Sequence, residues 1–235
     1  MKVLLCLKEK EIDFVSHYVN LLLFEQHEPE FVAINPNGQV PVLAHDGRVI
    51  TESTVINEYL DDVFPEAPLR PADPYWRAVM RTWSKFVDEY FCPALSMIGW
   101  HFMVRKVAAA IRKDELEAVL ARIPMKRQRD KWRTVAGDSF SEAELAESRR
   151  RLGVSVGKME AMLAGTEWLA GDDYSLADVN TYSMAAGVAR LHAEFLNDEV
   201  APRTMDWLRR MDARPGVQAA QAMPNKVPET LRTFG

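Results

Sequence analysis

Residues 34–43 have the sequence Ile-Asn-Pro-Asn-Gly-Gln-Val-Pro-Val-Leu, which combines turn signals with the start of a strand. Asn-Pro and Asn-Gly favour turns, and the apolar run after them predicts a strand that opens at Pro41. A proline donates no hydrogen bond to a sheet, and a cis proline here would leave the N–H and C=O of Val40 facing away from it. We therefore expect Val40 to offer a bound molecule one donor and one acceptor.

A short hairpin and a helix follow this stretch. Residues 45–48, His-Asp-Gly-Arg, form a tight-turn sequence, so the apolar runs on either side are predicted to be two paired strands. Residues 51–54 then lead into a segment with helical spacing, which places Glu52 and Ser53 at a helix N-terminus. Backbone N–H groups and the helix dipole favour a carboxylate there, while the Glu52 side chain can hold an ammonium. This corner suits a γ-glutamyl peptide, which carries both groups at one end.

These two motifs together resemble the glutathione-binding half of the cytosolic glutathione transferases. The family pattern N-P-x-G-Q-V-P-x-L stands at residues 35–43, and E-S-x-x-I-x-x-Y-L follows at residues 52–60. Either motif alone is also an ordinary turn or helix cap, so the resemblance depends on finding both in order at this spacing. It implies that glutathione is the co-substrate. The residues expected to bind it are His27, Gln39, Val40, Pro41, Glu52 and Ser53.

The glycyl end of glutathione has two candidate partners in the sequence. Gln39 lies beside Val40, and His27 lies in a loop that in the family often reaches this end of the peptide. Polar neighbours predict that the side chains of Gln26 and His27 are exposed. A solvated loop histidine is the alternative for His27, because no second histidine or carboxylate pair gives metal-ligand spacing around it. We expect no metal site.

The composition is typical of a soluble, globular protein. The 235 residues are 48% hydrophobic, which suits one large or two small domains, and the net charge of -5 argues against a nucleic-acid-binding surface. No apolar run approaches the roughly 20 residues that span a bilayer, and no export signal opens the chain. The two cysteines, Cys6 and Cys92, make no disulfide framework. We expect a cytoplasmic protein whose partners are small molecules rather than nucleic acid or membrane.

A proline-dense stretch separates two kinds of sequence. On the family resemblance, residues 1–66 are assigned to a thioredoxin-like, glutathione-binding domain, residues 67–74 to a linker and residues 75–235 to an all-helical substrate-binding domain. The expected fold class is therefore α+β. In the second domain, Ser175 and Asp178 have the spacing of a capping box at the start of a helix.

The first domain is predicted to begin with a helix at residues 2–10 and a strand at residues 12–19. The family begins instead with a strand and a loop bearing the Ser, Cys or Tyr that assists the glutathione thiol. The resemblance therefore implies that the catalytic residue lies upstream of Met1 and that the first strand of the sheet is missing here. Cys6 is a substitute nucleophile in principle, but its leucine neighbours favour a buried, structural role.

A helix in the second domain is predicted to carry bulky side chains on all sides. Residues 96–102 have the sequence Ser-Met-Ile-Gly-Trp-His-Phe, and a helix that is apolar all round must face two environments. One of them can be a pocket for an aromatic substrate. The candidate lining residues are Met97, Trp100, His101 and Phe102.

Longer stretches resemble one branch of the family, the bacterial glutathione-dependent β-aryl etherases of lignin breakdown, particularly the type that acts on β(S) ethers. The shared stretches are residues 24–27, 38–41, 45–47, 51–56, 88–92, 98–100 and 174–178. The resemblance implies that a glutathione thiolate attacks the β carbon of an aryl-ether ketone and expels a phenolate such as guaiacol. It also implies a homodimer. A transferase or disulfide reductase acting on another electrophile is the second hypothesis, and a non-catalytic binding protein of the same fold is the third.

Overall fold

The computed structural model describes residues 1–224, and within them the chain forms twelve α-helices and one two-stranded antiparallel sheet. The strands are β1, Val42–His45, and β2, Arg48–Thr51. The helices are α1 Lys2–Glu9, α2 Pro29–Ile34, α3 Ser53–Val63, α4 Pro74–Phe86, α5 Cys92–Gly99, α6 Arg105–Ala110, α7 Lys113–Leu120, α8 Lys126–Ala136, α9 Glu142–Met162, α10 Leu176–Leu191, α11 Pro202–Asp212 and α12 Pro215–Gln221. Residues 225–235, which the sequence assigns to the end of the helical domain, lie outside the described part of the chain.

The predicted hairpin is confirmed. Val42 pairs with Thr51 at its open end and His45 with Arg48 at the turn. The two residues between the strands, Asp46 and Gly47, both have positive φ angles of 50° and 73°. Two-residue hairpin loops of this type match the right-handed twist of the strands, which explains why an Asp-Gly sequence stands there.

The helix predicted at residues 2–10 is confirmed as α1, whereas the strand predicted at residues 12–19 is wrong. Among residues 1–224 the only ladder joins β1 to β2, so this segment has no strand with which to pair. A high content of aromatic and β-branched residues favours a strand only where packing and pairing are available. Here Phe14 instead lies under the ammonium of Lys8, and Val15 is 81% exposed.

The described residues form two compact units. The first comprises residues 1–14, 53–96 and 146–223. The second comprises residues 15–52 and 97–145, with Pro224.

In the first unit, buried polar groups at the start of α10 form hydrogen bonds with each other and with neighbouring segments. The capping box of Ser175 and Asp178 is confirmed, and Asp178 also accepts hydrogen bonds from the Leu169 N–H and from Trp207 Nε1. These donors satisfy a fully buried carboxyl, whose burial raises its pKa to about 6. Loss of a cap of this kind typically costs about 1 kcal/mol of stability. The motif therefore serves folding.

Cys6 lies in this unit with no exposed surface. Burial is the main cause of its perturbed acidity and raises the pKa of its thiol to about 12. A thiol of that kind is not a nucleophile at neutral pH. The structural role favoured by the sequence is confirmed.

The second unit has its own core around α7 and α8. Phe24, which has a left-handed backbone with φ of 60°, brings its ring into this core beside Trp132. The buried members of the core are Phe24, Ala108, Leu116, Leu120, Ile123, Trp132 and Val135. This unit carries the hairpin and the residues between α5 and α6.

Candidate functional site

The loop before β1 is held by one buried asparagine. Asn35 Nδ2 donates to the carbonyl oxygen of Gln39 at 2.7 Å, and Asn35 Oδ1 accepts from the Asn37 N–H at 3.1 Å. The Asn35 carbonyl also accepts from the Gly38 N–H at 2.8 Å. An asparagine that bonds its own following backbone is a characteristic turn former. The loop is thereby fixed up to Gln39.

Val40 lies directly after this fixed turn and is 41% exposed. The Val40–Pro41 peptide bond is cis, as expected. The first pair of the ladder is Val42 with Thr51, so the backbone of Val40 lies outside the sheet. Its N–H and C=O are therefore not among the groups that the hairpin uses.

Gly38 is the residue on which the turn depends. Its φ of +59° favours glycine, and a Cβ added to it would lie 2.5 Å from Nδ1 of His27 and 3.0 Å from the carbonyl oxygen of Gln26. The imidazole of His27 therefore packs directly against the turn. No larger residue fits without movement of the ring or of the backbone.

The expected exposure of Gln26 and His27 is wrong, because these side chains are only 8% and 5% exposed. The short 3₁₀ turn Glu25–His27 directly follows Phe24. Because the ring of Phe24 packs into the core, the residues of this turn also lie close to the core. Gln26 Nε2 lies 3.2 Å from His27 Nε2, while Gln26 Oε1 and His27 Nδ1 have no partner within residues 1–224. Burial, with a smaller contribution from the charge of Arg122, lowers the pKa of His27. The glutathione-binding role of His27 stays a prediction.

Glu52 and Ser53 mark the end of the hairpin. Glu52 is exposed and has a φ of 68°, and Ser53 is the first residue of α3. A left-handed conformation costs a non-glycine residue of order 1 kcal/mol or more, and such residues cluster at binding sites. This backbone strain supports the expectation that Glu52 has a functional task.

Three of the four pocket candidates lie in one turn of π-helix, Trp100–Val104, and the fourth, Met97, lies just before it in α5. A π-helical turn changes the direction of the side chains that follow it and occurs often at functional sites. Met97, Trp100 and His101 are half-buried, and Phe102 is 43% exposed. The side chains are thus available to a ligand rather than sealed in the core.

Two contacts orient the imidazole of His101. Its Nδ1 lies 2.9 Å from Oγ of Ser139, and the ring of Phe102 meets it edge to face with centroids 4.7 Å apart. Ser139 has a φ of 68°, and its N–H donates to the carbonyl oxygen of Thr134 at 2.8 Å. No local motif pointed to Ser139, because its partner lies 38 positions away.

Trp132 brings the two groups of candidate residues together. Its ring lies 4.6 Å from that of Phe24, which precedes the buried turn, and 5.1 Å from that of Trp100 in the π-helical turn. The ammonium of Lys131 lies 4.4 Å over the ring of Trp100. The loop of residues 35–40 and the aromatic segment, residues 97–104, therefore belong to one compact unit, in which Trp132 packs between Phe24 and Trp100. Ser53 belongs to the other compact unit.

The described residues contain no group of three or more His, Cys, Asp or Glu side chains able to hold a metal ion. The same residues include no helix of the length and apolar character needed to cross a membrane.

Known proteins similar to this chain were found by sequence and by structure. The family model for the glutathione S-transferase N-terminal domain matches residues 1–63, and the model for the C-terminal domain matches residues 91–215. Protein LigF of Sphingobium sp. strain SYK-6 is 44% identical over 224 residues, which cover 93% of this chain and 87% of that protein. Glutathione S-transferase F13 of Arabidopsis thaliana is 28% identical and covers 91% of this chain and 86% of its own length.

Solved structures agree with the sequence matches. The crystal structure of β-etherase LigF from Sphingobium sp. strain SYK-6 superposes with a TM-score of 0.91 at 43% identity, covering 95% of this chain and 94% of that one. Glutathione transferase F7 from Populus trichocarpa has a TM-score of 0.72 at 26% identity, with 94% and 91% of the two chains covered. The fold is a thioredoxin-like N-terminal domain followed by a helical C-terminal domain, and the chain belongs to the glutathione S-transferase family.

Proposed function

We propose that this chain is a glutathione-dependent β-aryl etherase, which cleaves the β-O-4 ether bond of lignin-derived aromatic ketones and releases a phenol. The observation that carries the proposal is the likeness to LigF, described as a β-etherase, which extends over 95% of the chain at a TM-score of 0.91. The loop of residues 35–40, proposed here as the peptide-binding loop, lies in the same compact unit as the aromatic segment, and this supports the proposal.

Glutathione would be recognised at both ends by groups that the loop and hairpin present. The backbone of Val40, next to Pro41 and outside the ladder, would pair with the cysteinyl residue of the peptide. Glu52 would hold the γ-glutamyl ammonium, and the N-terminus of α3 at Ser53 would attract the carboxylate. Gln39, which is half-buried, is the candidate for the glycyl end.

His27 would support this site by packing against the loop from the buried side rather than by contacting glutathione. Its ring is buried against Gly38, and its Nδ1, which has no hydrogen-bond partner among residues 1–224, faces the turn that precedes Gln39. A glycyl carboxylate would reach His27 only if the loop moved. The structural role therefore has the stronger support of the two.

The aromatic substrate would lie against Met97, Trp100, His101 and Phe102. Aromatic rings pair favourably in edge-to-face and offset arrangements, which suits the partly exposed rings of the π-helical turn. A pocket with apolar walls and few polar groups is the usual environment for a ligand of this kind.

The chemistry would be nucleophilic substitution at the carbon beside the ketone. The C–S bond forms as the C–O bond breaks, and the electron pair of the C–O bond leaves on the phenoxide oxygen. A free thiol has a pKa of about 8.5, so the site must favour the thiolate at neutral pH. Cys6 takes no part in this step, because it is buried and its pKa is raised.

We further propose a cytoplasmic homodimer with domain boundaries at residues 1–66, 67–74 and 75–235. The assembly and location follow the family resemblance. The family matches at residues 1–63 and 91–215 support the boundaries.

The test uses purified protein, glutathione and a racemic β-O-4 model ketone whose leaving group is guaiacol. We expect release of guaiacol with an equal amount of the glutathione thioether, measured by chromatography. Conjugation of glutathione to 1-chloro-2,4-dinitrobenzene without any guaiacol release would favour a transferase with another electrophile. Retention on immobilised glutathione without either reaction would favour a binding protein.

A further inference from the structure

We infer that His101, oriented by Ser139, is the general acid that protonates the departing phenoxide, an assignment that rests on the proposed etherase activity. The observation that points to it is the pairing of His101 Nδ1 with Ser139 Oγ at 2.9 Å inside the segment that carries the aromatic candidates. The other ring nitrogen, Nε2, is the one left to exchange a proton.

The imidazole is held rather than loosely placed. Ser139 fixes one edge of the ring, and the ring of Phe102 stands against it at 87° with centroids 4.7 Å apart. His101 is half-buried, so the ring is confined while part of its surface stays open. A general acid needs this combination, because a proton is transferred efficiently only over a hydrogen-bond distance in a fixed direction.

The backbone of Ser139 is in a strained conformation, which costs free energy in the folded state. Its φ of 68° is a left-handed conformation that serine adopts rarely, and Gly137 stands two residues before it in the same turn. Strain of this kind is kept where the surrounding structure or a task requires it. The task assigned here is to accept a hydrogen bond from Nδ1–H of His101, which fixes the tautomer.

The position of His101 relative to the peptide-binding loop also fits. Trp100, its neighbour in the chain, contacts Trp132, and Trp132 contacts Phe24 at the start of the turn that packs under Gly38. A substrate lying along Trp100 would therefore be bound by the same packed body that carries the loop. The ammonium of Lys131 lies 4.4 Å over the Trp100 ring, and a positive charge there favours a nearby anion such as a phenoxide.

The proton balance of the step is complete. The thiol of glutathione loses its proton to solvent before attack. As the C–O bond breaks, the phenoxide oxygen takes the Nε2 proton of the imidazolium, and the neutral imidazole keeps its Nδ1–H on Ser139. Solvent then returns a proton to Nε2. The sum of these steps is ether plus glutathione giving thioether plus phenol.

A positioned general acid matters most when the leaving group is a poor one. An unsubstituted phenol has a pKa near 10, so its anion departs slowly without a proton, and general-acid catalysis typically contributes 10²–10⁴-fold. A p-nitrophenoxide is a much weaker base and departs without help. A purely structural role for His101 would affect both leaving groups equally.

The experiment compares two β-O-4 ketones that differ only in the leaving group, guaiacol or p-nitrophenol. For His101→Gln we expect kcat/KM to fall about a hundredfold with the guaiacyl ether and less than about threefold with the p-nitrophenyl ether. The affinity for glutathione, measured by calorimetry, should stay unchanged. His17→Gln, at an exposed position of the same unit, is the matched control and should leave both rates unchanged.

Ser139→Gly is the second variant and decides the matter if His101→Gln does not fold. Glycine adopts positive φ without strain, so this change removes the hydroxyl and adds no backbone strain at this position. We expect the guaiacyl ether to slow about tenfold and the p-nitrophenyl ether to stay near the wild-type rate. Equal losses with both ethers, or no loss with either, would overturn the role assigned to His101 but leave the proposed etherase function standing. Wild-type protein that cleaves neither ether would overturn the proposed function and this inference with it.

Discussion

The rings of Phe24 and Trp132 lie 4.6 Å apart at an angle of 44°, and this contact joins two regions that the sequence suggested separately. Phe24 precedes the buried turn that packs under Gly38, whereas Trp132 touches the ring of Trp100 in the π-helical turn. Aromatic pairs at these distances contribute roughly 0.5–1.5 kcal/mol beyond the burial of their area. The indole ring of Trp132 thus contacts both Phe24, which precedes the buried turn, and Trp100 in the aromatic segment.

Phe102 and Trp100 give the sharpest test of the aromatic pocket. Phe102 is 43% exposed, so Phe102→Ala should cost little stability, and a severalfold rise in KM for the ether would report a lost substrate contact. Trp100→Ala should lower turnover and also the melting temperature, because its ring packs on Trp132. Steady-state kinetics and thermal unfolding separate the two effects. If turnover follows only the melting temperature in both variants, these rings are core and not pocket.

Gly38 and Gly47 form a matched pair for testing the loop. Both have positive φ, of 59° and 73°, but a Cβ on Gly38 would lie 2.5 Å from His27 Nδ1, whereas a Cβ on Gly47 meets nothing within 4 Å. Gly47→Ala should therefore cost only the conformational strain, about 1 kcal/mol. Gly38→Ala should cost more and should also weaken glutathione binding. Denaturant unfolding and calorimetry measure the two quantities, and equal effects of the two changes would show that the contact with His27 is unimportant.

Local chemistry was sufficient for the parts of the fold that the sequence predicted correctly. The hairpin follows from Asp46 and Gly47, and the capping box follows from Ser175 and Asp178, since each depends on residues within a few positions. The helix α1 is likewise a local pattern. These elements needed no knowledge of distant partners.

Tertiary contacts decided the parts that the sequence did not predict. Residues 12–19 have strand composition, but pairing depends on a neighbour that local sequence does not specify. His27 has polar neighbours in sequence, yet it is buried beside Phe24 and against the turn at Gly38. Ser139 meets His101 across 38 positions, so no motif contains both residues.

The buried state of His27 predicts a pH dependence. Its pKa is lowered from 6.5 by burial first and by Arg122 second, so the folded protein binds a proton less readily than the unfolded chain. The stability that this contributes is fully present above pH 6.5 and is lost as the pH falls through the lowered pKa of the folded state. The slope from one proton is at most about 1.4 kcal/mol per pH unit.

Thermal unfolding between pH 8 and pH 5 measures this effect. We expect the wild-type melting temperature to fall more steeply below pH 6.5 than that of His27→Gln, whose side chain does not titrate. His17→Gln, at an exposed position of the same unit, is the control for replacing a histidine by glutamine. Parallel curves for the wild type and His27→Gln would mean that His27 is protonated as easily in the folded protein as in the unfolded chain.

Glu52 is the residue whose charge should matter most for glutathione. It is exposed and held with a φ of 68° at the end of β2, next to the N-terminus of α3. Hydrogen bonds to charged groups contribute about 1.5–3 kcal/mol, which corresponds to a loss of tenfold or more in affinity. Glu52→Gln keeps the shape and removes the charge. Asp46→Asn is the control, since Asp46 is also exposed and has a φ of 50°, but lies in the hairpin turn.

The assignment of Glu52 to the ammonium is tested by a cycle of two changes, one in the protein and one in the ligand. Desamino-glutathione lacks the γ-glutamyl amine, so it should bind the wild type about as weakly as glutathione binds Glu52→Gln. If the carboxylate and the ammonium interact directly, the second change adds little to the first, because the partner is already gone. Calorimetry with both ligands and both proteins gives the coupling energy. Independent, additive losses would place Glu52 elsewhere on glutathione, and an unchanged affinity of Glu52→Gln would remove it from the site.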